Sequence, residues 1–355
     1  MANAKHQDFI DLMKVLGMLL IVAGHIIGDP QNAYNLIAQP AFTKQIGVAF
    51  FVFITGWGLA NNQRPAVRAV FNRIFPFYFW GIFFALLLSL INLYIKGDAN
   101  LSNYIPFFFG ANVFLNYFPA NPTTWYIGAY LHILLFWFLF LKGRRVGLSL
   151  ILAAFIVESC VRSLLIYLDQ NFVAYMILPN WITVFMLGMY LHNKQQSRSL
   201  PIAFGLLFLW AVFLGTWAAL SNLIPMGGSF PFQTIKIDSP LAVPIESVMI
   251  SIIYIVNTYF FFEIARRLRG HRIISYFARA TLIMVIVHMP IIYSIHDRFY
   301  TYFDNRQIAQ IILIGLVYVA SAVIANVLQK FIDITALREL SWKYLSSLYA
   351  HTFKK

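Results

Sequence analysis

Apolar residues in this chain fall neither into two-residue alternation nor into the narrow stripe of a surface helix. They run in long blocks separated by short polar breaks. A helix needs about 20 mostly apolar residues to cross the hydrocarbon core of a bilayer. Ten segments answer to that pattern: Phe9–Gly28, Gln45–Ala60, Ile74–Ile95, Thr123–Leu141, Val146–Tyr167, Phe172–His192, Leu200–Asn222, Ala242–Ala265, Ile273–Ser294 and Ile308–Phe331. The second is short, as a broken or tilted helix would be. Tyr104–Phe118 is also apolar, but Pro106, Gly110, Asn112 and Asn116 interrupt it, which predicts a re-entrant or interfacial segment before the fourth helix. The pattern predicts an all-α integral membrane protein of ten transmembrane helices, with one membrane domain over residues 1–331. Residues 332–355 read as an amphipathic cytoplasmic tail, in which Leu337, Leu340, Trp342, Tyr344, Leu345 and Leu348 suit an interfacial helix.

Composition agrees. Of 355 residues, 60% are hydrophobic and only 11% charged, against about 25% charged in a typical soluble domain. So few ionised side chains cannot cover a water-soluble surface, which excludes an ordinary soluble enzyme, a disordered chain and a nucleic-acid module. The net charge of +13 therefore points to a bilayer surface rather than to nucleic acid. With ten spans and the N-terminus inside, 18 Lys and Arg fall in the inner loops and tail and 5 in the outer loops (Lys44, Lys96, Lys236, Arg298 and Arg306). That bias predicts both termini in the cytoplasm and a multi-pass protein of the cytoplasmic (inner) membrane. The first span is not a cleaved signal peptide, since it carries Asp11 and Lys14 and no small-residue cleavage pattern follows His25. A single cysteine, Cys160, excludes an intramolecular disulfide and any Cys-rich metal site.

Ionisable groups inside a span cost about 2.5–3.5 kcal/mol on insertion scales, so each needs a reason. In the first helix Lys14 and His25 are 11 residues apart, within about 20° of three full turns, and lie about 16 Å apart along one face that Asp11 shares. A snorkelling Lys14 partnered by Asp11 is the structural alternative. In the ninth helix His288 lies as deep as His25, and Pro290 frees a carbonyl close to it. Arg279 lies about 180° from His288 around that helix and is expected to face another helix or to snorkel. Glu158 and Arg162 form an i, i+4 pair that either binds substrate or simply neutralises itself. Glu246 and Asn257 share a face of the eighth helix. The run GVAFFVFITGWGLA carries Gly47, Ala49, Gly56, Gly58 and Ala60, which suit close helix packing or the approach of a ligand at Thr55. Arg68 and Arg73 follow it at the inner mouth, where phosphate recognition and the positive-inside rule predict the same residues.

Taken in order, these segments resemble the membrane-bound acyltransferase type 3 family. The family's first helix carries a basic residue, ten intervening residues and His; here these are Lys14, in place of the usual Arg, and His25. GVAFFVFITGW is similar to its second-helix segment, with Thr55 where Ser is common. RIFPFY is similar to its Arg-aromatic-Pro-aromatic entry to the third helix. Of its paired arginines, Arg73 holds the later place and Val70 the earlier, which leaves Arg68 as the candidate substitute. TWYIGAYLH is similar to a Leu-Trp-aromatic segment, with Tyr130 near the place of a glutamate found in some members. ISYFARATLIMVIVHMPI is similar to the late helix ending in His-x-Pro.

The resemblance implies transfer of an acyl group, usually acetyl, from cytoplasmic acetyl-CoA or another acyl-CoA to a hydroxyl of a glycan or glycolipid, with no metal. It implies Lys14, Arg73 and Arg68 on the coenzyme A phosphates. His25 is expected to act as general base or as the acyl carrier, and His288 to assist it by orienting the acceptor, protonating the thiolate or polarising the carbonyl. Trp125, Tyr130, Glu158 and Arg162 are candidate substrate-binding residues. The expected partners are the bilayer, acyl-CoA, the acceptor and polysaccharide-synthesis proteins. A secondary transporter or glycolipid exporter, and a non-catalytic scaffold, are the rival classes.

Overall fold

Backbone amides in hydrocarbon must find partners within their own segment, so long apolar runs become helices. The computed structural model describes residues 7–27, 37, 43–60, 62–227, 234–235 and 239–353; Lys5, Gly28, Lys236, Lys354 and Lys355, counted above, lie outside them. The helices are α1 Asp8–Ile27, α2 Lys44–Ala60, α3 Ala66–Lys96, α4 Tyr104–Phe108, α5 Asn112–Leu115, α6 Trp125–Phe136, α7 Leu148–Tyr167, α8 Asn171–Met176, α9 Ile182–Tyr190, α10 Leu200–Ser221, α11 Ala242–Ala265, α12 Arg272–Tyr300, α13 Arg306–Phe331 and α14 Ile334–Phe353. Strand pairing among the described residues is confined to Met226–Gly227 against Thr234–Ile235.

Eight helices among the described residues are long and apolar enough to cross a membrane: α1, α3, Pro122–Leu141 (α6 with its flanking turns), α7, α10, α11, α12 and α13. The other two expected spans depart from that description. α2 is a short helix of 17 residues, unbroken despite its glycines. Phe172–His192 is not one helix: α8 ends at Met176, Ile177 is extended, and a 3₁₀ turn over Leu178–Trp181 leads into α9. Pro179 cannot continue a helical ladder, and the side-chain amide of Asn180 donates to the Tyr175 carbonyl at 3.1 Å instead. The Tyr104–Phe118 segment is likewise broken, into α4 and α5, with Asn103, Gly110 and Asn116 in the left-handed region.

α2 lies at the centre, packed against α9 on one side and α1 on the other, while α12 packs against α1 and α13. Its glycines make this possible. A Cβ at Gly47 would strike the carbonyl oxygen of Gly17 on α1, and one at Gly56 would strike that of Phe185 on α9. The close-packing reading of the small residues therefore holds for these two. α10 is at the other extreme. Leu200, Phe204, Phe208, Leu209 and Leu220 are all more than half exposed, a surface stable only against lipid or other apolar matter. Two indole N–H groups anchor it, Trp210 to Asn257 Oδ1 at 3.0 Å and Trp217 to the Ile37 carbonyl at 2.8 Å. After α13 the chain turns into α14, which lies on α3 through Trp342 and Phe71, their ring centroids 5.1 Å apart.

Candidate active site

His25 stands in the last turn of α1 and His288 in the middle of α12. The packing of these helices brings His288 Nε2 within 3.1 Å of His25 Nδ1. Backbone carbonyls decide where the ring protons sit, because a carbonyl oxygen only accepts. His25 Nδ1 lies 2.9 Å from the Ile21 carbonyl and His288 Nδ1 lies 3.0 Å from the Met284 carbonyl. Both neutral rings therefore carry their proton on Nδ1. The Nδ1–H of His25 is shared between Ile21 O and His288 Nε2, which leaves the lone pair of His25 on Nε2. This is the arrangement of a base whose second nitrogen is held by an acceptor.

Pro290 helps to fix the pair. Lacking an N–H, it leaves the Ile286 carbonyl without its helical partner. The side-chain amide of Asn121 donates to that oxygen at 2.9 Å, while Asn121 Oδ1 accepts from the Thr123 backbone N–H at 3.1 Å. The Thr123 hydroxyl completes the knot at 2.7 Å from Oδ1. The turn that starts α6, and with it Trp125, is thereby tied to the His288 helix.

Two cavities meet here. The first, of about 220 Å³, is lined by His25, His288, Lys44, Trp125, Phe172 and Tyr175, among others. The second, of about 450 Å³, lies toward the N-terminal end of α1 and is lined by Lys14, Arg73, Arg279, Thr55, Phe77 and Tyr130, among others. Phe51, Tyr126 and Val285 line both, so one wall of three side chains divides them. Arg73 reaches the second cavity across Gly58, where a Cβ would meet its guanidinium at 2.9 Å; here the small residue serves a side chain rather than helix packing. Asp11 does not simply neutralise Lys14: its carboxylate accepts from the Ser275 hydroxyl at 2.9 Å and ties α1 to α12.

The arrangement is a cationic cavity separated by a three-residue wall from a cavity that holds a paired histidine. A family profile described as an acyltransferase domain matches residues 7–328, from the start of α1 almost to the end of α13. The chain belongs to the acyltransferase type 3 family. It is a multi-pass membrane acyltransferase. Comparison with curated proteins and with solved structures returned no match.

Not every residue singled out from the sequence reaches the acyltransferase cavities. Trp125 lines the histidine cavity and Tyr130 the cationic one, so the two aromatics do not share a subsite. Arg68 lines neither; it pairs with Glu339 of α14 and lies 4.6 Å from the centre of the Trp342 ring. Glu158 and Arg162 line neither and are consumed in a structural knot. Arg162 donates to Glu158 Oε1 at 2.6 Å, Asn180 Oδ1 at 2.7 Å, the Ser247 carbonyl at 2.6 Å and Ser251 Oγ at 2.8 Å. Glu158 in turn accepts from Ser251 Oγ at 2.6 Å and from the Thr183 backbone N–H at 3.1 Å. Glu246 and Asn257 are buried away from both cavities. Conversely, three residues gain importance. Lys44 is not a loop residue but opens α2 and lines the histidine cavity. Arg279, expected to face another helix or to snorkel, lines the cationic cavity. Asn121 takes the carbonyl that Pro290 releases.

Proposed function

We propose that this acyltransferase moves an acyl group, acetyl in the simplest case, from a cytoplasmic acyl-CoA to a hydroxyl of an envelope or extracellular polysaccharide or of its lipid-linked precursor. In this reading α2 and the α8–α9 segment complete ten crossings of the inner membrane. Both termini then lie in the cytoplasm, so the cationic cavity faces the donor and the histidine cavity the acceptor. The reading also takes in polysaccharide-synthesis proteins as the source of the acceptor.

The observation that carries it is the pair of cavities divided by Phe51, Tyr126 and Val285. Coenzyme A is a polyanion with a long uncharged arm ending in the thioester. Lys14, Arg73 and Arg279 hold its phosphates, the two arginines offering forked donors that Lys14 lacks. Arg68, committed to Glu339 and Trp342, is left out of this role. Tyr130 and Phe77, whose ring centroids are 4.6 Å apart, wall the arm. Trp125 stacks against a sugar of the acceptor, backed by Tyr175 at 4.8 Å between centroids.

In the transfer step His25 Nε2 takes the proton of the acceptor hydroxyl as its oxygen attacks the thioester carbon. The C–S bond then breaks and the same proton passes to the departing sulfur, leaving an ester and free coenzyme A. His288 Nε2 and the Ile21 carbonyl hold the Nδ1–H of the imidazolium that forms between the two events. In place of the three roles expected of His288 (orienting the acceptor, protonating the thiolate or polarising the carbonyl), this geometry supports orienting His25. General-base action of this kind contributes about 10²–10⁴-fold. If transfer runs through an acyl-histidine instead, the same lone pair is the nucleophile, and rapid-quench capture of labelled acetyl on His25 separates the two routes.

The test is release of free coenzyme A from acetyl-CoA by the purified protein in liposomes, with acetyl-CoA binding measured in parallel. Release or binding by wild type, with release lost in His25→Ala and binding kept, is the expected result. Neither release nor binding by a folded wild-type protein would overturn acyl-CoA as the donor.

A further inference from the structure

A third cavity, of about 550 Å³, lies outside the acyltransferase site, at the end of the bundle where α1 begins. It is lined by Arg198, Ser199, Leu200, Pro201, Arg267 and Arg269, none of which lines the histidine cavity or the cationic one. Two backbone hydrogen bonds build it. The Ser197 N–H donates to the Arg266 carbonyl at 2.9 Å and the Ser199 N–H to the Arg267 carbonyl at 3.3 Å. They lay the segment before α10 alongside the turn after α11, so arginines from two separate stretches of chain line one volume.

The charge around this cavity is not balanced. Glu263 already takes three cations, Lys194 at 2.9 Å, Arg266 at 2.7 Å and Arg267. Asp8 accepts from the Gly270 backbone N–H at 2.9 Å and lies 3.9 Å from Arg198, too far for a strong hydrogen bond. Arg269 is exposed and has no ion-pair partner among the described residues. Two carboxylates therefore answer five cations, and the surplus calls for an anion. The rest of the lining is of another kind. The cavity runs onto the first turn of α10, where Leu200, Ile202 and Phe204 are each more than half exposed, a face suited to lipid. A small free anion would meet the arginines and leave that apolar face uncovered. A ligand that is anionic at one end and apolar at the other matches both.

We infer that this cavity is a binding site for an anionic phospholipid. Its phosphate lies among Arg198, Arg267 and Arg269, and its acyl chains follow the exposed face of α10. Basic pockets at the membrane surface between helices suit anionic headgroups, and arginine offers phosphate oxygens a forked donor. The positive-inside rule accounts for basic residues in loops of one sign, but not for three of them lining one cavity with the foot of a lipid-facing helix. A lipid held there also has a mechanical effect. It ties the foot of α10 to the turn between α11 and α12, adding to the two indole anchors farther along that helix. The inference stands apart from the acyl donor and acceptor proposed above.

The experiment uses the full chain purified in detergent, with phosphatidylglycerol as the probe and native mass spectrometry to read bound lipid. Wild type is expected to hold one phosphatidylglycerol at least about 10-fold more tightly than phosphatidylcholine, and its melting temperature to rise with the first lipid and not with the second. Arg198→Gln combined with Arg269→Gln leaves the Arg267–Glu263 pair in place. It is expected to weaken phosphatidylglycerol binding by about 30-fold, about fivefold for each charge, with phosphatidylcholine binding and the lipid-free melting temperature as in wild type. Arg144→Gln combined with Arg145→Gln removes the same charge from the turn before α7 and is expected to leave phosphatidylglycerol binding unchanged. Equal weakening by the two pairs would reduce the patch to diffuse surface charge and overturn the site. Phosphatidylglycerol bound by wild type no more tightly than phosphatidylcholine would overturn it as well. So would full displacement of the bound lipid by glycerol 3-phosphate, which would make the ligand a free phosphate.

Discussion

Arg162 and Arg73 are both arginines inside apolar helices, and both were candidates for ligand binding, yet they are held in opposite ways. Arg162 is 1% exposed, and all three of its guanidinium nitrogens are taken by Glu158, Asn180, Ser247 and Ser251. Arg73 crosses Gly58 to open volume that it shares with Lys14 and Arg279. A buried charge surrounded by matched protein donors and acceptors has no capacity left for a ligand, and its removal is felt by the fold. A set of like charges turned toward one cavity is costly unless something anionic joins it. The contrast separates structure from function more sharply than burial alone does, because His288, at 1% exposure, is as buried as Arg162 and still borders the cavity.

The largest expected effect is at the histidine pair. His25→Ala should lower acyl transfer by about 10²–10⁴-fold, with the melting temperature of the detergent-solubilised protein nearly unchanged. A parallel fall in stability would move His25 to the side of Arg162. Next comes the knot itself. Arg162→Ala leaves Glu158 uncompensated and should destabilise the protein by about 3–5 kcal/mol, read as a lower melting temperature or as loss of the monodisperse peak. Glu158→Leu combined with Arg162→Met removes both charges and should recover most of that loss. If Arg162→Ala proved stable yet defective in acetyl-CoA binding, the assignment of the pair to structure would fail. A smaller effect is expected in the cationic cavity. Arg73→Ala and Arg279→Ala should each weaken acetyl-CoA binding by about 10–100-fold, the loss of one charge-assisted contact, without a change in melting temperature.

Much of this was legible in the residues. Blocks of apolar sequence locate the long helices, and an ionisable side chain in such a block marks Lys14, His25 and His288 because lipid offers it no partner. Pro290 announces a freed carbonyl, though not that Asn121, 165 residues away in sequence, would take it. What escaped did so for geometric reasons. The hydropathy of Phe172–His192 is continuous, so the apolar pattern reads straight through Pro179 even though a proline marks the break; what that pattern does not carry is that Asn180 beside it would be held by Arg162 of α7. Trp125 and Tyr130 are five residues apart, about 140° around a helix, and so open onto different chambers. Arg279 was measured against His288 around one helix. That projection discards depth, and α12 lines both cavities at different levels. Lys44 was counted as a loop charge because a charge count by loop does not tell a lysine in a loop from one that opens a helix packed against a glycine of its neighbour.

The smallest expected effect tests the finest distinction, that between Arg68 and Arg73. Sequence pattern alone allows either to serve the donor phosphates. In the structure Arg68 is held between Glu339 and the Trp342 ring of α14, so it ties the tail helix to α3 rather than facing the cavity. Trp342→Ala removes a partly exposed cation–π contact and should cost about 0.5–1 kcal/mol of stability. Arg68→Ala should leave acetyl-CoA affinity within about twofold of wild type, as expected for an arginine occupied by a surface ion pair, while Arg73→Ala does not. Isothermal titration on the two single variants and the double variant decides the matter. Affinity in the double variant should equal that of Arg73→Ala alone. A further drop would mean that Arg68 leaves Glu339 when the donor arrives, so that docking of α14 and binding of coenzyme A compete for one guanidinium.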